Sequence, residues 1–409
     1  MRGNLSPALT IAAMAAIQVL GMAGFATYWS LQPLLQPAWD MSNEQAGWIS
    51  GVLFAGYMVS VPVLAAMTDR IDARLIVVLG MTFAAAGLLG FAATADGFWG
   101  ALGWRFIAGI GLAGTYMPGL RALTDRLPER LQARAVAFYT SSFSIGSAGS
   151  YALAGVALDL VGWRGAFVAA AIGPLLGGLL IWLLLRPKPP DPAHRPDTHL
   201  FDFRPVLVDR HVMGYVLAYA GHTAELFAMR SWIVPFLVFA VVQSSGDATA
   251  TVDATLMATL VSLIAVVSSV GGNEIAMRIG RRRFVMAVMT LSFAISLGVG
   301  FAATLPIWFT VAICMVYAMA IQADSASITA GAVAAAPAGY RGATLAVHST
   351  LGFGAAVLSP TLVGAVLDTA GGAIQVATWA GAFASMGAMG LAGCVALLVL
   401  GRRRSPEPT

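Results

Sequence analysis

Apolar residues in this chain neither alternate in twos nor keep to one helical face. They continue through long runs, and short polar segments separate the runs. Twelve such runs are read at residues 8–35, 44–67, 75–95, 98–122, 133–158, 164–185, 212–242, 252–276, 284–304, 306–333, 343–367 and 374–400. About 20 largely apolar residues suffice for a helix that crosses a bilayer. The pattern therefore predicts an all-α membrane protein of twelve transmembrane helices. Between the ninth and tenth runs the only punctuation is Pro306, a residue that ends or restarts a helix. The first run follows Arg2 and continues to Leu35. That is longer than the apolar core of a signal peptide, about 7–15 residues, and reads as a retained first helix.

Composition agrees. Of the 409 residues, 58% are hydrophobic and 10% charged, against about 25% charged in an average soluble domain. Mean hydropathy is +0.80. A soluble enzyme, a nucleic-acid-binding module and a disordered chain are excluded, because none could keep so much apolar surface from water. The 45 glycines suit closely packed membrane helices. The net charge of +4 might point to nucleic acid, but the basic residues mark one membrane face instead. With the N-terminus inside, all but three of the 23 basic residues fall in inner segments, as the positive-inside rule requires. The exceptions are Arg105, Arg164 and Arg230. An even helix count puts both termini in the cytoplasm, and a prokaryotic inner membrane is the expected location. Cys314 and Cys394 lie in apolar runs without metal spacing, and no metal or cofactor is expected.

The longest polar stretch, 186–211, is rich in proline and reads as a linker. It divides the chain into an N-terminal half (1–185) and a C-terminal half (212–409). The halves echo each other. Gly155, Asp159 and Gly162 recur as Gly364, Asp368 and Gly371, each 209 positions on. Asp69-Arg70 and Arg74 are echoed by Arg278 and the run Arg281–Arg283, about one residue closer. Two parallel six-helix halves with a substrate between them are a common transporter plan.

The segment Ala65-Ala-Met-Thr-Asp69-Arg70-Ile-Asp-Ala-Arg74 resembles the loop 2–3 signature of the major facilitator superfamily, G-x-L-A-D-R-x-G-R-R. Asp69, Arg70 and Arg74 match, while Ala65 and Asp72 replace its glycines. Arg105-Phe-Ile-Ala-Gly109-Ile-Gly111 resembles the R-x-x-x-G-x-G of the family's fourth helix, and Gly162-Trp163-Arg164 with Phe167 resembles its entry to the sixth. The glycine–proline pair of the drug-antiporter signature is absent from the fifth run. The stretch Glu225-Leu-Phe-Ala-Met-Arg230-Ser-Trp232 resembles the cyanate-permease-like branch. The resemblance implies that Asp69, Arg70 and Arg74 form a cytoplasmic latch between the halves. It also implies that the first, fourth, seventh and tenth helices line a central cavity.

Charges deep in a bilayer are costly, so they usually mark function or a buried pair. Here they are few: Arg105 in the fourth run, His222, Glu225 and Arg230 in the seventh, Asp324 in the tenth, and His348 in the eleventh. All but His348 lie on the implied cavity helices. At 100° per residue, His222 lies about 60° and Trp232 about 20° around the helix from Glu225, while Arg230 lies about 140° away. Tyr116 shares a face with Arg105, Tyr317 with Asp324, and Tyr28 with Gln32. The expected substrate-binding set is Tyr28, Gln32, Arg105, Tyr116, His222, Arg230, Trp232 and Tyr317. Glu225 and Asp324 are the expected proton carriers, with fixed ion pairs to Arg105 and Arg230 as the competing reading. A guanidinium suits carboxylate-like anions.

These readings converge on a secondary transporter for a small polar or anionic organic solute, working by alternating access with proton coupling. Uniport or solute exchange without protons, and a receptor on a transporter fold, are the alternatives. The expected partners are the lipid bilayer, the substrate and the proton gradient, without nucleic acid, for a monomeric protein. A membrane enzyme finds no H-E-x-x-H, G-x-S-G or G-x-G-D motif, and no phosphate-binding loop of the ATPase type occurs.

Overall fold

The computed structural model describes residues 5–190, 203–245, 251–369 and 371–401. Residues 191–202 of the predicted linker, Arg2, and Arg402, Arg403 and Arg404 lie outside them. Among the described residues the regular structure is entirely helical: α1 (Pro7–Gly21), α2 (Thr27–Ala38), α3 (Asn43–Met67), α4 (Ala73–Thr94), α5 (Phe98–Thr124), α6 (Glu129–Leu184), α7 (Arg204–Val208), α8 (Arg210–Ser245), α9 (Thr251–Ile279), α10 (Arg281–Val299), α11 (Ile307–Ala323), α12 (Ser325–Ala335), α13 (Arg341–Thr369) and α14 (Val376–Leu400), with a 3₁₀ turn at Gly300–Thr304.

Nine described helical stretches are long and apolar enough to cross a membrane. One of them, α6, runs 56 residues and breaks at Gly162, whose φ of 71° no ordinary side chain favours. It supplies the fifth and sixth spans. The 27 residues of α5 are long enough to cross, but Arg105 and several glycines dilute the apolar run. The first span is α1 followed by α2. These additions bring the spans to the predicted twelve.

Local sequence sets the ends. Ser42 and Gln45 form a reciprocal capping box at the start of α3. Pro306 opens α11. Two predicted continuous helices are in fact broken. The first span opens between Gly21 and Thr27, where Ser150 Oγ accepts from the freed Ala26 N–H at 3.0 Å. The tenth bends at Asp324, between α11 and α12. A broken helix in a bilayer requires such replacement partners.

Two compact units are present. One comprises Met1–Asp197 with Asp247–Leu263, and the other Thr198–Gly246 with Ile264–Thr409. The start of α9 therefore groups with the first unit, where Thr255 lies against Gly155. In the first unit α4 and α5 pack backbone to backbone. A Cβ on Gly114 would come within 2.6 Å of Gly80 Cα. Lipid removes the hydrophobic drive between helices, so close packing of small residues takes its place. In the second unit α8 is the most buried span, packed on α13 and α14. The short α7 tucks Val206 against Val212, Val216 and Val347. Large apolar side chains such as Val59, Leu160, Leu179 and Phe309 face outward, on a scale that soluble monomers avoid.

Candidate functional site

In the first unit Arg105 of α5 is 2% exposed. Its guanidinium carbon lies 5.6 Å from the Tyr28 ring and 5.8 Å from the Trp29 ring, both on α2. These are cation–π distances. Its Nε donates to the Ile49 carbonyl at a long 3.5 Å. Its Nη2 is buried with no hydrogen-bond partner among the described residues, as are Trp29 Nε1 and Gln32 Oε1. Tyr28 donates to the Ala46 carbonyl at 3.5 Å, and Gln32 Nε2 to Gln36 Oε1 at 3.4 Å. The structure thus joins Tyr28 and Arg105, and adds Trp29, which the helical wheel did not single out. Tyr116 belongs elsewhere. It shares a face with Arg105 but sits about 16 Å along the helix at 1.5 Å per residue, stacked on Tyr139 and tilted against Phe143.

The second unit holds two buried carboxyl groups with different partners. Asp324, 2% exposed at the α11–α12 bend, has Oδ1 2.7 Å from His222 Nδ1 on α8. The two groups lie within ion-pair distance, but the contact lacks hydrogen-bond geometry, and Asp324 Oδ1 has no hydrogen-bond partner among the described residues. Behind it lies a stack. His222 faces Tyr219 at 5.9 Å between ring centres, and Tyr219 lies on His348 of α13 at 3.8 Å. His348 Nε2 meets the Thr329 hydroxyl at 3.2 Å. His348 therefore joins the layer that holds His222.

Glu225, also 2% exposed, turns the other way. Its Oε1 accepts from the Tyr317 hydroxyl of α11 at 2.9 Å and from the Ser292 hydroxyl of α10. A Cβ on Gly390 of α14 would collide with its Oε2. Glu225 thus lies among α8, α10, α11 and α14. Tyr317 serves Glu225 rather than the Asp324 whose face it shares. Trp232 donates to the Pro360 carbonyl at 2.9 Å and packs near Trp379 at 6.3 Å, inside an aromatic core. Arg230 is buried, with its guanidinium carbon 5.7 Å from the Phe227 ring.

The loop between α3 and α4 also differs from its motif reading. Asp69 faces Arg121 at 3.7 Å, and Arg70 is exposed. Arg74 is buried, donating to the Leu185 carbonyl at 2.8 Å, with its guanidinium 4.7 Å from the Trp182 ring. The hub is Asp72. It accepts from Arg126 Nη2 at 3.1 Å, the Lys188 backbone N–H at 2.7 Å and the Arg74 backbone N–H at 3.0 Å. Its departure from the motif's glycine was the only sequence signal. Ser292 carried none, being one hydroxyl in an apolar run.

Residues 14–272 match the Major Facilitator Superfamily. The chain is 29% identical over 195 residues to a gentisate transporter of Corynebacterium glutamicum, covering 45% of this chain and 43% of that protein. It is 30% identical over 168 residues to human monocarboxylate transporter 11, covering 40% and 36%. The chain thus matches less than half the length of these curated relatives. Its fold superposes on the crystal structure of a bacterial homolog of the human lysosomal transporter Spinster, in an inward-facing and occupied conformation. The TM-score is 0.76 at 17% identity, over 98% of this chain and 100% of that one. The family match covers more than half of the chain and the fold agrees along nearly all of it, so the chain belongs to the Major Facilitator Superfamily of membrane transporters.

Proposed function

We propose that this protein is a secondary transporter for a small organic anion, coupled to protons and working by alternating access. The observation that carries the reading is Arg105. A guanidinium buried over two aromatic rings, with Nη2 unbonded among the described residues, is costly until an anion satisfies it. Two of the matched relatives are named for gentisate and for monocarboxylates, the ligand chemistry that a guanidinium suits. Tyr28 and Gln32 complete the contacts in the first half, and Arg230 is a buried cation of the second.

Proton coupling belongs to the second half. Glu225 and Asp324, the carboxyl groups buried within apolar spans of that half, are the proton carriers in this reading. Asp69 and Arg70 contribute to a latch on the basic face, and Arg74 positions the neighbouring loop. That face is cytoplasmic in a prokaryotic inner membrane, with both termini on it and the linker 186–211 joining halves 1–185 and 212–409. The protein works as a monomer.

The test is internal pH in proteoliposomes on adding a panel of carboxylates and other small anions, against protein-free liposomes. Acidification above control with one compound identifies a symported substrate, and alkalinisation identifies antiport. Entry of labelled compound without a pH change sinks the proton role of Glu225 and Asp324 in favour of uniport or exchange. Silence on both counts sinks the anion reading.

A further inference from the structure

A separate basic cavity lies in the second unit. It has a volume of about 570 Å³ and is lined by His211 and Tyr215 of α8, Ile279 and Gly280 at the end of α9, Arg281, Arg282 and Arg283 at the start of α10, and Ala334 of α12, among others. Three features make it an anion site. First, three arginines occupy the first turn of α10, which holds no acidic residue and has no side-chain cap. A helix N-terminus carries partial positive charge and unsatisfied N–H groups, so cations there repel it. Second, Arg281 Nε and Arg282 Nε are shielded from solvent without a hydrogen-bond partner among the described residues. Arg282 spends one other N–H on the Leu398 carbonyl at 3.1 Å. No carboxylate pairs with any of the three arginines among the described residues. Third, the helix leading into the cavity exposes Ile275 and Ile279, one turn apart on the same face, an apolar strip beside the charged mouth.

We propose that this cavity binds a phosphate-bearing anion, held by Arg281 and Arg282 at the N-terminus of α10. A phosphate offers acceptor oxygens to several guanidinium N–H groups at once. The apolar strip suits a phospholipid, whose headgroup would enter while its chains lie along α9, and basic pockets between membrane helices take such headgroups. Free phosphate presents the same chemistry without the chains.

The experiment is thermal unfolding of the purified full chain in detergent, titrated separately with phosphatidylglycerol, phosphatidylcholine and inorganic phosphate. A midpoint raised by phosphatidylglycerol but not phosphatidylcholine is expected. Arg281→Gln should weaken that response about fivefold, since one basic group near an anionic headgroup is worth about that factor. Ala334→Phe keeps every charge but projects a ring into the cavity, and should diminish the response even if the arginine variant folds poorly. Arg341→Gln, an exposed arginine that does not line the cavity, should leave it intact. A response to inorganic phosphate alone, weakened in the same two variants, supports the site with a soluble ligand. No response to either anion, a response undiminished by Ala334→Phe, or equal loss in Arg341→Gln overturns the proposal.

Discussion

At the scale of single residues, the environment of Glu225 separates a proton carrier from a structural acid. Its Oε1 accepts two hydroxyl hydrogens, from Tyr317 and Ser292. Glu225→Gln keeps an oxygen for both donors and removes the ionisable carboxyl group. Proton-driven uptake should disappear while substrate exchange across the membrane persists. Equal loss of both, with normal folding, would make Glu225 a structural or binding group. Gly390 tests the same site without touching it. Gly390→Ala would drive a methyl into the Glu225 carboxyl, although alanine is otherwise the better helix former by about 1 kcal/mol. Uptake should fall as in the glutamine variant. Gly381→Ala on the same helix meets only Val366 at an ordinary 3.8 Å and should transport normally. The sequence told which acids were deep, because they interrupt apolar runs. It could not tell their partners. A helical wheel records direction around one axis and ignores both the rise along it and what neighbouring helices present. Tyr116 was misplaced for the first reason, and Ser292 and Gly390 were missed for the second.

At the scale of elements, two acids in one loop should behave differently. Asp72 and Arg126 have side chains only 7% and 11% exposed, whereas Asp69 and Arg121 are 28% and 47% exposed. Breaking a buried pair by removing one partner costs about 3–5 kcal/mol, mainly by stranding the remaining charge. An exposed pair is worth about 0–1 kcal/mol. Asp72→Asn should therefore lower the unfolding midpoint well below wild type, and Asp69→Asn should hardly move it. The reverse order would make Asp69 the structural acid and refute the hub. Asp72 also ties the loop to Lys188 at the start of the predicted linker, while Arg74 reaches Leu185 just before it. The motif made this loop legible as a charged connection between two spans. Its internal wiring followed from the residue that broke the motif. A second element-scale prediction concerns Gly162, which splits α6 into two spans at a φ of 71°. Gly162→Ala should cost about 1–3 kcal/mol, the strain of a Cβ at positive φ with ψ of 177°, read as a lower unfolding midpoint. Gly371, its echo 209 positions later, also has positive φ, at 95°. The repeat in sequence thus extends to a positive φ at both glycines.

At the scale of the whole molecule, the twelve spans were legible because lipid imposes one rule on every segment: bury about 20 residues as a helix. The breaks in the first and tenth spans were not, because their freed backbone groups are satisfied by distant residues such as Ser150. One span strains the rule. The apolar run of α5 is diluted by glycine and interrupted by Arg105, and one arginine at a helix centre costs about 2.5–3.5 kcal/mol on insertion scales. The cation–π contacts and burial of Arg105 inside the first unit keep that charge from lipid, so α5 should still cross. Asp96 and Glu129 are exposed residues flanking this one helix, and Cys314 and Cys394 are buried, so background thiol labelling should be low. A membrane-impermeant maleimide applied to intact cells should label Asp96→Cys at once, and Glu129→Cys only after permeabilisation. Labelling of both from outside would mean that α5 does not cross, and every later span would be inverted. Labelling of Glu129→Cys alone would keep the fold but turn the basic face outward, against the asymmetry of its arginines. The predicted pattern requires both that Arg105 be sheltered by its own half and that the arginine-rich loops face the cytoplasm.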